Sequence, residues 1–264
     1  DLKFFLSVAG GDPPDLLNQD DPVVADWAHR GVIAPLAEFA TADEQQRLAE
    51  WLYPAANELG RYDGRLYALC NGLDLRALYC NQTLLAEHGL DVPVKLSDLD
   101  RIAIAIAPPG QKEYRQMGFL ADPARAWAWG VGFGGRFIDP EATAARDRVT
   151  ADDPHVVAAL EWMSEYSQRY GPGTTAAFRS GDQSLAGASF PLLADRRYAV
   201  IMDGQWRLRD IEAARQQAAA RNASFDEIAV APLPPPPGGV ENGRWVNGNF
   251  FVVPRGCRNP KGAW

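Results

Sequence analysis

The sequence predicts an α/β fold with enough chain for two lobes. Short apolar runs that read as strands alternate with stretches of helical period, and no unit repeats. The chain has 264 residues, more than a small single core requires. Hydrophobic residues make up 47% and charged residues 23%, the balance of an ordinary soluble globular protein.

Asp1 to Leu6 reads as helix from the first residue, and Gly10 to Asp15 makes the turn that stops it. Leu16-Leu17 is a short strand, followed by a polar loop, Asn18-Gln19-Asp20-Asp21. Val23 to Ala28 is an amphipathic helix with Trp27 on its core side. Thr41 with Glu44 forms a capping box that opens a helix running to Leu59, with Gly60 as its stop and Trp51 inside it as a structural residue. Gly64 to Leu69 and Ala77 to Cys80 are two separate strands, with Asp74 and Arg76 between them.

Asn81 to His88 is a short helix ended by Gly89. Ser97 to Ala107 alternates like a strand at Ile102, Ile104 and Ile106, but Ser97 with Asp100 favours a helix start. Asp153 caps a long helix from Pro154 to Tyr170, on which Val156, Leu160 and Met163 face one way and Trp162 is structural. Gly171-Pro172 ends it. Tyr198 to Met202 is a buried strand, Leu208 to Arg221 a helix, and Ile228 to Ala231 and Phe250 to Val253 two more strands. Pro232 to Gly239 is a stiff surface connector. The helix at Asp1 has no entry signal, and Asn259-Pro260 opens a helix that Trp264 leaves short, so a chain truncated at both ends is expected.

The formal charge of −8 argues against nucleic acid, whose phosphates require a basic face. No apolar run approaches the roughly 18–20 residues of a membrane span. The three cysteines, Cys70, Cys80 and Cys257, have no metal spacing and read as small apolar fillers. His29, His88 and His155 are isolated, so no metal or cofactor is expected, and Ser184 and Ser189 have no base near them in the chain. Gly130 to Gly135 fits G-x-G-x-x-G, but a dinucleotide site needs that motif between a strand and a helix. Here Trp127 and Trp129 precede it and turn residues follow, so its glycines serve close backbone approach instead.

"MDGQW", Met202 to Trp206, carries the functional question, because a buried strand there ends in a turn and presents an indole. Trp127, Trp129, Trp206 and Trp245 each lie near glycine or a strand end, the usual material of a ligand cleft. An indole against an apolar sugar face buries about 80 Å², worth roughly 2 kcal/mol, so polar groups must supply the rest of a micromolar affinity. Asp74 is a solvated turn acid, an ion-pair partner of Arg76 or a ligand contact.

Six stretches together resemble a family. They are "AGGDPPDLL" from Ala9, "WAHRGVIAPL" from Trp27, the segment Tyr62 to Asp91, "FGGRFID" from Phe133, "VIMDGQW" from Val200 and "FFVVPRGCRNPKGAW" from Phe250. In order and spacing the chain resembles the extracellular solute-binding proteins of carbohydrate ABC transporters, the group that includes maltose-binding protein. The resemblance covers nearly the whole chain and implies a type II periplasmic-binding-protein fold, two hinge-linked α/β lobes with a central cleft. Lobe I would hold residues 1–75 plus 249–264 and lobe II residues 76–248.

By position, Asp74 matches an acid that binds sugar hydroxyls and Trp206 a stacking aromatic, with Gly204 making the turn between strand and indole. Asn18, Gln19 and Asp20 match a ligand-contacting loop of the first lobe, Trp127 or Trp129 a cleft aromatic, and Gly248 and Asn249 the return crossing. Arg76 completes the candidate set as a ligand contact or a partner of Asp74. The chain departs from the family pattern at Leu96, Cys70 and Cys80, away from these positions. The implied partners are a small carbohydrate and the permease subunits of an importer, the implied protein a monomer without enzymatic activity, and the implied location extracytoplasmic. The rival readings are a binding protein for a glycerol-phosphate-type or polyamine solute, a glycoside hydrolase with paired acids, and a pure interaction module.

Overall fold

The computed structural model describes residues 2–139, 141–143, 148–183, 190–239 and 245–264. Ser184 and Ser189 lie outside these. The chain divides into two compact units, Asp1–Leu75 with Val246–Trp264, and Arg76–Trp245.

The first elements are α1 (Leu2–Ala9), β1 (Leu17–Asp20), α2 (Val24–His29), α3 (Ala42–Trp51), α4 (Pro54–Leu59), β2 (Arg61–Tyr62), β3 (Arg65–Leu66) and β4 (Ala68–Asn81). Then come α5 (Gln82–Glu87), α6 (Leu96–Ile106), α7 (Ala126–Gly132), α8 (Pro154–Tyr170) and α9 (Pro172–Gln183). The last are β5 (Val200–Gly204), α10 (Arg207–Ala220), β6 (Ile228–Ala231), β7 (Val246–Val252) and α11 (Pro260–Ala263).

In the first unit, β7 pairs antiparallel with β1 on one side and with residues 68–75 of β4 on the other. Beneath this sheet Phe4 stacks on Trp27 with ring centroids 4.4 Å apart, beside Ile33, Phe250 and Val252. Two sequence expectations change here. The polar run Asn18-Gln19-Asp20 is strand, not loop, because β1 is an edge strand whose alternate residues reach solvent while its backbone bonds to β7. The capping-box helix does form, with Glu44 accepting from the Thr41 N–H at 2.8 Å, but it ends at Trp51. Pro54 forces Tyr53 into an extended conformation and starts α4 afresh. That break leaves Trp51 75% exposed instead of packed in the core.

In the second unit, residues 76–81 of β4 pair antiparallel with both β5 and β6. The two strands expected around Asp74 are thus one, running unbroken through 14 residues. Helices α6, α7 and α8 close over an apolar cluster that includes Leu99, Ile102, Phe119, Trp129, Trp162 and Tyr166. On α6, Ile102 is buried and Ile104 exposed, the helical outcome of the ambiguous alternation. On α8, Val156 and Met163 point inward with Trp162, but Leu160 is 46% exposed because Ala159 takes the inward position. Pro172 opens a further helix, α9, where the sequence suggested only a stop.

The G-x-G-x-x-G stretch begins inside α7, not after a strand. A Cβ on Gly130 would meet the Phe137 ring at 2.8 Å, and one on Gly135 would meet Val156 at 2.6 Å. These glycines therefore let the α7 region pack against α8. Cys70, Cys80 and Cys257 are all free thiols, and burial pushes the Cys80 thiol up to about 12.

Candidate functional site

The candidate residues fall into two groups, one in each unit. In the first unit, β1, β4 and β7 bring acids and amides together. Asp20 pairs in register with Asn249, Asp74 with Asn247, and Leu73 with Gly248. Gly248 is required by proximity, since a Cβ there would lie 2.7 Å from the Gly72 carbonyl. Asn71 donates to the Asn18 side-chain oxygen at 3.4 Å.

Asp21 follows β1 directly, and its Oδ1 accepts from the Gly248 N–H at 2.8 Å. Burial raises the Asp21 carboxyl above its ordinary range, the Gly248 bond opposes this, and the nearby charges of Asp20 and Asp74 add to it. Asp21 thus joins the group, although the sequence placed it only in the polar loop. Gln19 alternates to the other side of β1 from Asn18 and Asp20 and is half-buried opposite Phe250.

In the second unit an arginine lies among indoles. Arg76, opposite Gly204 across the β4–β5 ladder, holds its guanidinium carbon 4.7 Å from the Trp206 ring centre and 5.6 Å from that of Trp127. Trp127 packs on Trp245 with centroids 3.6 Å apart and donates its N–H to the Ala124 carbonyl at 3.0 Å. All three indoles are half-buried.

The turn in MDGQW has a steric basis. A Cβ on Gly204 would fall 2.1 Å from the Trp206 ring, so the indole folds back over the strand end only because residue 204 is glycine. Asp203 holds this corner from behind, accepting from the Gly204 N–H at 2.8 Å and from Arg207 Nε at 2.7 Å. The Tyr79 hydroxyl donates to the Gly204 carbonyl at 2.7 Å. Asp203 and Tyr79 were not among the sequence candidates; the only local signal for Asp203 was its place before the glycine.

Trp129 needs correction as a stacking wall. It is 2% exposed, with its ring packed on Phe119 and Trp162, whereas Trp127, two residues earlier on α7, stays with Arg76. Helical geometry turns neighbours two apart to different sides, which the sequence alone did not orient.

The first unit also holds an apolar pocket of about 970 Å³, lined by Trp51, Tyr53, Leu73, Leu75 and Val246 among others. Strand alternation sets Leu73 and Leu75 on the face of β4 opposite Asp74, so this pocket is not part of the acid and amide group. Among the described residues no group of His, Cys, Asp and Glu could hold a metal ion, and no helix is long and apolar enough to cross a membrane.

The chain is 25% identical over 240 residues to the maltotriose-binding protein of Pyrococcus abyssi, covering 89% of this chain and 45% of that protein. Among solved structures it is similar to CpMnBP1 with mannotriose bound, at 25% identity and a TM-score of 0.79, covering 99% of this chain and 64% of that one. It also shares its fold with MalX from Streptococcus pneumoniae, solved with maltopentaose, at 18% identity and a TM-score of 0.73, over 99% of this chain and 64% of that one. The chain thus spans about half to two thirds of the length of these relatives. Residues 1–264, the whole chain, match the family described as bacterial extracellular solute-binding protein, and the chain belongs to that family.

Proposed function

We infer that the protein binds a neutral sugar or oligosaccharide and delivers it to a membrane ABC importer. The observation that carries this reading is the set of indoles around Arg76. A sugar ring has an apolar face that an indole covers and a rim of hydroxyls that carboxylates and amides bind. The second unit carries indoles, Trp206 and Trp127, beside Arg76, and the first unit carries acids and amides, Asn18, Asp20, Asp21 and Asp74. A similar protein named for maltotriose and another solved with mannotriose bound support oligosaccharide over a polyamine or a glycerol phosphate. On this reading the protein works outside the cytoplasm as a monomer that catalyses nothing, and its partners are the permease subunits.

Calorimetric titration with mannotriose and maltotriose tests it. Trp206→Ala removes about 2 kcal/mol of apolar contact, so the dissociation constant should rise roughly thirtyfold while the far-ultraviolet circular dichroism stays unchanged. Asp74→Asn should weaken the same sugar by about tenfold or more, through loss of a charged acceptor. Affinity indifferent to both substitutions removes these groups from the site. Tighter binding of a polyamine or glycerol phosphate than of any sugar overturns the ligand class.

A further inference from the structure

Three Asn-Gly pairs occur in the sequence, Asn71-Gly72, Asn242-Gly243 and Asn247-Gly248. The pair at 242–243 lies outside the described residues. The other two face each other across the β4–β7 ladder, where Gly72 pairs with Asn249 and Leu73 with Gly248. An asparagine before glycine is open to attack on its own side chain. Glycine has no Cβ to hold its backbone nitrogen away from the asparagine Cγ. The outcome then depends on how firmly each pair is held.

Asn247-Gly248 is held firmly. Asn247 is 9% exposed. The Gly248 N–H, which would have to become the nucleophile, donates to the Asp21 carboxylate at 2.8 Å. A Cβ on Gly248 would lie 2.7 Å from the Gly72 carbonyl and 3.1 Å from the Phe250 ring, so the backbone there has no room to turn.

Asn71-Gly72 is held loosely. Both residues are exposed. They stand at a β-bulge. Cys70 pairs with Phe250 and Gly72 with Asn249, so Asn71 has no partner across the ladder. Its side chain donates to Asn18 Oδ1 at 3.4 Å, a long bond. The Gly72 N–H reaches the Cys70 thiol, a weak acceptor. A Cβ on Gly72 would meet nothing within 4 Å.

We propose that Asn71 is a site of spontaneous deamidation, that Asn247 is protected from it, and that conversion at Asn71 weakens sugar binding by the first unit. Hydroxide removes the Gly72 amide proton, and the nitrogen attacks Asn71 Cγ. A ring imide forms, and the side-chain nitrogen leaves as ammonia with a proton from water. A second water then opens the ring. Cleavage of the new Cγ–N bond gives aspartate, and cleavage of the original peptide C–N bond gives isoaspartate. The net change consumes one water and releases one ammonia, with no oxidant or reductant. Either product adds a negative charge to the group that holds Asn18, Asp20, Asp21 and Asp74. Isoaspartate also inserts an extra main-chain carbon into β4, just ahead of Asp74. The chemistry is independent of any ligand, whereas the loss of affinity rests on the sugar reading above.

The test incubates the protein in mildly alkaline buffer and digests samples with trypsin. The three pairs fall in separate peptides, residues 66–76, 222–244 and 245–255. Peptide 66–76 should gain the mass of amide-to-acid conversion, in two chromatographic forms, at least about tenfold faster than peptide 245–255. Gly72→Ala puts a Cβ where there is space for one, and it should slow conversion at Asn71 by about tenfold or more. Calorimetric titration of the same samples with mannotriose should show affinity falling in step with conversion of Asn71. In Gly72→Ala it should hold near that variant's own starting value. Conversion of peptide 245–255 as fast as peptide 66–76 overturns the proposal, as does a rate at Asn71 indifferent to Gly72→Ala. Affinity that declines equally in both proteins overturns the link to binding. Fresh protein that binds no sugar refutes the sugar reading, while the peptide map still decides the modification.

Discussion

Gly204 is the residue on which the aromatic group depends. Its Cβ position is filled by the Trp206 ring, so Gly204→Ala must push the indole away from Arg76. Sugar affinity should fall as far as in Trp206→Ala, with a red-shifted tryptophan emission as the second readout. Gly132→Ala is the control, because a Cβ there meets nothing within 4 Å and the position is helical. It should leave affinity unchanged and stabilise the fold by up to about 1 kcal/mol, measured by urea denaturation. The pentapeptide was legible as a strand end followed by an indole, because glycine after a strand signals a close approach. Asp203 and Tyr79, which hold the corner, were not legible, since their partners are set by folding and not by their neighbours in the chain.

Among the elements, α6 shows how packing decides between two local readings. Its isoleucines fit both periods, and the buried set Leu96, Leu99, Ile102 and Ala103 follows the helical one. Gly118 lies against it so closely that a Cβ would come within 2.1 Å of the Ile102 carbonyl. Leu99 is fully buried in the cluster, so Leu99→Ala should cost about 2–5 kcal/mol in a denaturant titration, without changing the urea dependence of the unfolding free energy. Helix starts were readable where the cap is local, as at Thr41 and Asp153. They were misread where a proline both ends one helix and begins another, as at Pro54 and Pro172. The polar strand β1 was invisible for a different reason. Its pairing partner, β7, lies more than two hundred residues away in sequence, and no alternation of apolar residues marks it.

At the scale of the whole molecule, one ion-pair cluster predicts a loss of stability in acid. Asp195 and Arg196 both take left-handed backbone angles, φ of 53° and 52°, unfavourable for residues with side chains. Arg196 is held there by both oxygens of Asp226, each contact 2.6 Å long, and by Glu87. Asn81, at the end of β4, donates to the same Asp226 carboxylate at 2.7 Å. The bond from Arg196, with Asn81 assisting, holds the Asp226 carboxyl below its ordinary range. A depressed folded value means stability that is present above the unfolded value, near 3.9, and lost as pH falls through the folded one. Asp226→Asn should therefore cost about 1–2 kcal/mol at pH 7, the partial exposure of Arg196 reducing the effect. It should also flatten the fall of the thermal midpoint below about pH 4. An unchanged acid limb in calorimetric scans would assign the acid sensitivity to other carboxylates.

By itself the sequence determined what depends on near neighbours. It set the capped helices and the glycine that lets an indole fold over a strand end. The tertiary structure decided what depends on distant partners. It made Asn18 to Asp20 a strand, joined the segments around Asp74 into one long strand, buried Trp129 while leaving Trp127 beside Arg76, and left Trp51 in solvent. The reason is physical. A cap or a turn is satisfied within a few residues, whereas burial and strand pairing are shared between segments far apart in the chain.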